Sequence, residues 1–141
     1  MNQIIHPDFK LNGKSFTYIE LLAEALYLKE NGQLFEKEIG KFLLDWLNNE
    51  SFIFVQTSGS TGKPKQIVLQ KSAMIASSKA TGLFFNLQPK NTALLCLSAN
   101  YIAGKMMIVR ALTIGLDLDI IAPSSHLDDL LPSTCYDFVA I

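Results

Sequence analysis

The sequence contains little cysteine and histidine and has no excess of charge of either sign. Its 141 residues include 2 cysteines and 2 histidines, and its 12 basic residues nearly balance its 13 acidic residues. Cys96 and Cys135 share no short spacing with a histidine, so nothing supports a metal site. We expect both cysteines to be small, buried, reduced hydrophobes. Because no run of lysine or arginine occurs, we expect no nucleic-acid partner.

Long apolar runs are also missing. The longest, such as "ALLCL" at 93–97, are far too short to span a bilayer, and the first ten residues do not have the pattern of a signal peptide. These absences predict a cytoplasmic chain without a membrane partner. Residues of hydrophobic type make up 49% of the chain, which is enough to build the core of one compact domain.

Residues 1–50 are predicted to form a helical lead-in. Thr17 and Glu20 have the spacing of a capping box, and the helix that they begin should end near Asn31 and Gly32. Its predicted apolar stripe consists of Ile19, Leu22, Ala23, Leu26 and Tyr27. A second helix carries the stripe Phe35, Ile39, Phe42, Leu43 and Trp46. We expect both stripes to lie in the core.

Residues 51–141 alternate between predicted strands and helices. Strands are predicted at 52–56, which should be buried, and at 66–70, 92–98, 117–123 and 137–141. Helices are predicted from a cap at Ser72 to about Phe85, from Ile102 to Ile114, and briefly near 126–131. The strands have continuous apolar character, which indicates an α/β fold whose mostly buried sheet is covered by helices on both faces.

The last predicted strand ends the sequence at Ile141 without a following helix or polar tail. We therefore expect residues 1–141 to be a fragment of a longer protein. An exposed sheet edge would favour self-association, so a homodimer is an alternative to a monomer.

The loop "TSGSTGKPK" at 57–65 lies between two predicted strands and has the chemistry to hold phosphate. It is not a Walker A loop, because Gly59 and Gly62 are too close together and Pro64 directs the chain into a strand instead of a helix. The glycines allow backbone N–H groups to converge on an anion, and hydroxyl groups and lysines add donors. A solvated, mobile hairpin turn is the alternative that composition leaves open.

All nine positions of this loop match the signature of the AMP-forming adenylating enzymes, and the chain resembles that superfamily of acyl-CoA synthetases, peptide-synthetase adenylation domains and luciferases. The resemblance implies that a carboxylate attacks the α-phosphate of ATP to form an acyl-adenylate, and that coenzyme A then takes the acyl group. It also implies a catalytic role for Lys65. The residues expected to hold the phosphates are Thr57, Ser58, Gly59, Ser60, Thr61, Gly62 and Lys65. Lys63 occupies a variable position of the motif and is expected to be a solvated charge.

Within the superfamily the chain most resembles the o-succinylbenzoate-CoA ligases of menaquinone synthesis. The loop comes early in the chain, as it does in those compact enzymes, and "LSANYIAGKMMIVRAL" at 97–112 is similar to their next conserved segment, with Arg110 on its helix. Many relatives have an aromatic residue and a histidine near the start of that segment. Here the corresponding residues are Asn100 and Tyr101, a departure that bears on which acid is bound.

The same segment is a candidate acid-binding site because it follows a buried strand at its carboxyl end, where open α/β sheets bind ligands. Lys105 is a candidate partner for a substrate carboxylate, with an ordinary helix-surface lysine as the alternative. The residues predicted to bind substrate are Ser98, Asn100, Tyr101, Gly104 and Lys105.

Other motifs of the superfamily, which bind adenine with magnesium and ribose and supply a C-terminal lysine, have no match in these residues. The resemblance therefore implies that the Mg²⁺ ligands lie outside this chain and that the 141 residues alone are inactive. The alternative function is a noncatalytic module that binds nucleotide or acts as an interaction domain.

Overall fold

The structure is a computed structural model, and it describes residues 5–57, 62–63, 65–123 and 135–140. No helix in these ranges is long and apolar enough to cross a bilayer. The elements are β1 (Lys10–Leu11), α1 (Tyr18–Asn31), α2 (Leu34–Leu47), β2 (Phe52–Thr57), β3 (Lys65–Gln70), α3 (Lys71–Phe84), β4 (Thr92–Leu95), α4 (Ile102–Ile114), β5 (Asp117–Ile120) and β6 (Phe138–Val139).

A four-stranded parallel sheet organises the fold, with the strand order β1, β5, β4, β6. Strand β4 is central and pairs with β5 so that Leu95 lies opposite Ile120. Helix α4 connects these two parallel strands, as the geometry of a crossover requires. The parallel sheet with helices confirms the predicted α/β class.

The side chains on the two faces of this sheet belong to different apolar clusters. Ala93 and Leu95 of β4 and Leu118 of β5 belong to the main core, to which helices α1, α2, α3 and α4 all contribute buried side chains. Leu94 and Cys96 point to the opposite face and pack against the partly buried Tyr136 and neighbouring residues. Alternate side chains of one strand therefore anchor the sheet on both sides.

Helix α1 begins as predicted but buries a different face. Thr17 and Glu20 form the capping box, with each side chain accepting a hydrogen bond from the backbone N–H of the other residue. The predicted core stripe is wrong except for Leu22, which is partly buried against the core: Ile19 is 76% exposed, and the buried residues are Leu21, Ala25 and Leu28. Close contact with α2 sets this rotation, since a Cβ atom at Gly40 would collide with the backbone of Ala25 and Lys29.

Helix α2 follows its predicted pattern. Ile39, Phe42, Leu43 and Trp46 are buried in the main core, and Phe35 packs partly against it. The Phe42 and Trp46 rings lie 6.0 Å apart between centroids. The stripe predicted from helical spacing is therefore confirmed for this helix.

Strands β2 and β3 form a separate antiparallel hairpin, and they are less buried than expected. Ile53 and Val55 enter the core, whereas Phe54 and Val68, opposite each other on the other face, are 54% and 53% exposed. The prediction of a buried strand at 52–56 is wrong for that face, because no other strand pairs with the hairpin within the described residues.

Three smaller expectations also differ from the structure or lie outside it. Ser72 does not cap α3, because the helix begins at Lys71, whose N–H donates to the Ser51 carbonyl oxygen at 2.9 Å. Cys96 is buried as expected, but Cys135 is exposed. The short helix predicted near 126–131 lies outside the described residues.

Candidate functional site

The base of the predicted phosphate loop is the open end of the β2–β3 hairpin. Thr57 and Lys65 form its last residue pair, and the Thr57 hydroxyl donates to the Lys65 carbonyl oxygen at 3.2 Å and accepts from the Lys65 N–H at 3.3 Å. The predicted order of strand, loop and strand is therefore confirmed. Residues 58–61 and Pro64 lie outside the described residues.

Gly62 has a backbone conformation that favours glycine. Its φ angle is +87°, in the left-handed region that side chains with a Cβ atom rarely adopt. Lys63 and Lys65, which flank position 64, are both exposed. The role of these residues in holding phosphate stays a prediction.

The segment between β4 and α4 is held in place by a carboxylate from α2. Glu38 Oε1 accepts from the Ser98 hydroxyl at 2.9 Å, and Glu38 Oε2 accepts from Asn100 Nδ2 at 2.7 Å. The Asn100 N–H in turn donates to Ser98 Oγ at 3.1 Å. Two of the predicted substrate residues are thus joined by a third residue that the sequence did not indicate.

Lys105 is a buried lysine and not the surface lysine considered as its alternative. It is 8% exposed, its Nζ donates to the Ala99 carbonyl oxygen at 2.8 Å, and the ammonium lies 4.9 Å from the centroid of the Phe42 ring. Burial lowers the pKa of Lys105; nearby Asp45 opposes that shift, Lys41 adds to it, and Glu38 opposes it. The side chain therefore brings a poorly solvated positive charge to the site.

Gly104 and Tyr101 shape the start of α4. A Cβ atom at Gly104 would overlap the Ser98 carbonyl oxygen, so glycine lets the helix approach the preceding segment. Tyr101 precedes the first residue of α4 and is half exposed. Gly104 thus has a packing role, whereas Tyr101 presents its ring to solvent.

Two cavities, both lined by Gln56, lie beside this segment. One of about 340 Å³ lies between α2, the hairpin and the side chains of Asn100 and Lys105. The other, of about 250 Å³, is lined by Thr57 at the loop base and by Tyr101 and Ile102 at the start of α4. The two groups of residues predicted separately therefore share one region of the surface.

Solved structures with a similar fold were found for most of the chain. An AMP-forming acyl-CoA synthetase/AMP-acid ligase II-like protein from Dyadobacter fermentans matches 82% of this chain with 32% identity and a TM-score of 0.72. The fold is that of the N-terminal portion of adenylate-forming enzymes. This chain spans 33% of the Dyadobacter protein.

The adenylate-forming fold also recurs in a more distant structure. The o-succinylbenzoate CoA synthetase of Bacillus subtilis in complex with AMP matches 91% of this chain with 12% identity and a TM-score of 0.59, and 44% of its own chain is covered. At that identity the likeness concerns the fold alone. Neither a protein-family model nor a curated protein matches the sequence.

Glu38 is a residue of the candidate site that sequence reasoning missed. It precedes the buried Ile39 on an amphipathic helix and looks like any other polar residue of such a helix. Its partners Ser98 and Asn100 lie 60 and 62 positions away in the chain. No local pattern could have indicated this contact.

Proposed function

We propose that this chain is the N-terminal part of an ATP-dependent acid–thiol ligase that adenylates a carboxylic acid, o-succinylbenzoate, and transfers the acyl group to coenzyme A. The observation that carries the proposal is the adenylate-forming fold, found together with a hairpin that closes at Thr57 and Lys65. In the first step a carboxylate oxygen attacks the α-phosphate of ATP and pyrophosphate leaves. In the second step the thiol attacks the acyl carbon and AMP leaves.

In this proposal the loop at 57–65 holds the departing pyrophosphate. Such a charge is stabilised best by donors that are already in place, and the Thr57–Lys65 contact fixes both ends of the loop. The Lys65 ammonium adds a positive charge at the loop base. Gly62, at positive φ, allows the backbone to turn towards the phosphates.

The acid is proposed to bind beside the start of α4. The smaller cavity has apolar walls at Val55, Ile67 and Ile102 and the Tyr101 ring at its edge, which suits an aromatic acid. Lys105 lines the neighbouring cavity with an ammonium that burial has partly desolvated. An anionic group in that cavity would offset the unfavourable burial of the charge.

The metal ion and the location of the protein complete the proposal. The described residues contain no group of three acidic, histidine or cysteine side chains suited to a metal ion, so the Mg²⁺ that accompanies ATP would be held by residues outside them. We also propose a cytoplasmic location, without nucleic-acid or membrane partners, and inactivity of the 141 residues alone.

The test is acid-dependent exchange between ATP and pyrophosphate by the full-length enzyme. Lys65→Ala and Gly59→Val should each lower the exchange rate about 100-fold, because each removes charge or backbone freedom from the phosphate site. Lys63→Ala is the matched control, since it removes an exposed lysine of the same loop that has no proposed role. It should change the rate by about twofold at most.

Each outcome decides one part of the proposal. Unchanged exchange in both loop variants would remove the loop from the mechanism. Exchange by the isolated 141 residues would contradict their inactivity. A full-length protein that binds ATP but supports no exchange with o-succinylbenzoate or other aromatic and aliphatic acids would instead be a noncatalytic nucleotide-binding module.

A further inference from the structure

The segment 98–100 is fixed by side chains from two helices. From α2, Glu38 accepts hydrogen bonds from both Ser98 and Asn100, and from α4, Lys105 donates to the carbonyl oxygen of Ala99. Three consecutive residues on the carboxyl side of β4 are therefore held by hydrogen bonds to side chains of neighbouring helices. This is the edge of the parallel sheet at which ligands of α/β folds bind.

The two oxygens of Glu38 also determine which way the Asn100 amide faces. A carboxylate can only accept, so the NH₂ group of Asn100 must point towards Glu38 and its oxygen must point elsewhere. The Ser98 hydroxyl likewise donates to Glu38 and is left to accept from the Asn100 N–H. Glu38 thus sets the donor and acceptor pattern that the segment presents.

Within the described ranges, Glu38 lies within 4.0 Å of no lysine, arginine or histidine nitrogen and therefore forms no ion pair there. The contacts of Glu38 with Ser98 and Asn100 are hydrogen bonds to a charged acceptor, which are stronger than bonds between neutral groups. The half-buried position of Glu38 reduces their competition with water.

We propose that Glu38, which lines the same cavity as Asn100 and Lys105, is a positioning residue that orients the substrate acid through its hydrogen bonds to Ser98 and Asn100. The kinetic consequence of this proposal rests on the proposed function. The effect of Glu38 on the order of residues 98–100 can be measured without any reaction. It predicts that loss of Glu38 weakens binding of the acid far more than binding of ATP.

The kinetic test uses the full-length enzyme and acid-dependent ATP–pyrophosphate exchange. Glu38→Ala should raise the KM for the acid about tenfold, with the KM for ATP changed less than about twofold. Glu38→Gln should restore most of the affinity, because the glutamine oxygen can accept from Asn100 and its NH₂ can donate to Ser98. Glu30→Ala, at an exposed position of α1, is the matched control.

A double variant that exchanges the donor and the acceptor between positions 38 and 100 provides a second test if Glu38→Ala fails to fold. Asn100→Asp places a second carboxylate against Glu38, so the KM for the acid should rise. Combining it with Glu38→Gln restores a donor facing an acceptor and should recover much of the loss. Additive effects of the two substitutions would overturn the proposal, as would equal rises in the KM for acid and ATP.

Hydrogen exchange separates this inference from the proposed function. In the full-length protein, the Asn100 backbone N–H should exchange faster in Glu38→Ala than in the wild type, and Glu38→Gln should restore protection. If no acid supports ATP–pyrophosphate exchange, the proposed function fails, but faster hydrogen exchange would still support Glu38 as the residue that fixes the segment. Unchanged hydrogen exchange in Glu38→Ala would overturn that role.

Discussion

The hydroxyl group of Thr57 makes two hydrogen bonds to the backbone of Lys65, one as donor at 3.2 Å and one as acceptor at 3.3 Å. The two residues are the last pair of the β2–β3 hairpin, so these bonds close the base of the loop between them. A loop whose ends are fixed loses less conformational entropy when it orders around a ligand.

Thr57→Val should weaken ATP binding because valine keeps the branched shape but cannot bond to Lys65. We expect the KM for ATP to rise about fivefold to tenfold, which is the effect of losing about one hydrogen bond's free energy. Thr57→Ser is the control and should retain a KM close to that of the wild type. Equal KM values for the valine and serine variants would mean that the hydroxyl does not order the loop.

Gly104→Ala should destabilise the fold because the added Cβ atom overlaps the Ser98 carbonyl oxygen. The free energy of unfolding should fall by about 1–3 kcal/mol, as for other overpacked sites. Urea denaturation of the full-length protein measures this change. Ala103→Ser, in the same helical turn but exposed, should change it by about 0.5 kcal/mol at most. Similar stabilities of the two variants would contradict the close approach of α4.

Cys135 should react with alkylating reagents and Cys96 should not. Cys96 is buried, its thiol donates to the Ala140 carbonyl oxygen at 3.6 Å, and burial raises its pKa above the ordinary value. Less thiolate is therefore present, and reagents cannot reach it. Mass spectrometry after iodoacetamide treatment of the folded protein identifies the labelled cysteine. Labelling of Cys96 before unfolding would disagree with its burial beside the end of β4.

Because of Lys105, the free energy of unfolding should vary with pH in the alkaline range. Its pKa is lowered in the folded state, so between that value and the ordinary 10.5 the unfolded chain binds more protons. Its contribution to stability is therefore most favourable above pH 10.5 and is lost as the pH falls through the lowered pKa. Lys41, Asp45 and Glu38 are the charged groups that influence this titration.

The measurement compares the wild type with Lys105→Met by urea denaturation at several pH values. The free energy of unfolding of the wild type minus that of the variant should rise with pH across this window. Because the comparison subtracts the groups that both proteins share, a flat difference would mean that Lys105 is as well solvated in the folded state as in the unfolded chain.

The sequence predicted best where local chemistry decides the structure. The bounds of α4 and the Thr17–Glu20 capping box were predicted correctly because helical period and capping depend on residues a few positions apart. The rotation of α1 was not, since its apolar residues fit more than one face and contact with Gly40 selects among them. The exposed face of the hairpin was not predicted for a similar reason, because the burial of a strand depends on what packs against it.

The candidate site shows the same limit of local reasoning. The loop at 57–65 could be proposed from sequence because its residues are contiguous, and the segment after β4 because ligands bind at the ends of parallel strands. Glu38 could not be recognised, since its contacts with Ser98 and Asn100 arise only when α2 packs beside that segment.

The pairing of β1 with β5 has a consequence for how the chain acquires its structure during translation. Lys10 lies opposite Asp117, and the Asn12 side chain accepts from the Ile120 N–H at 3.1 Å, a contact that spans 108 positions. At ribosomal rates, β1 is made roughly 5–20 s before β5. Contacts between residues distant in the sequence form late. Strand β1 must therefore stay unpaired with β5 until β5 has left the ribosome.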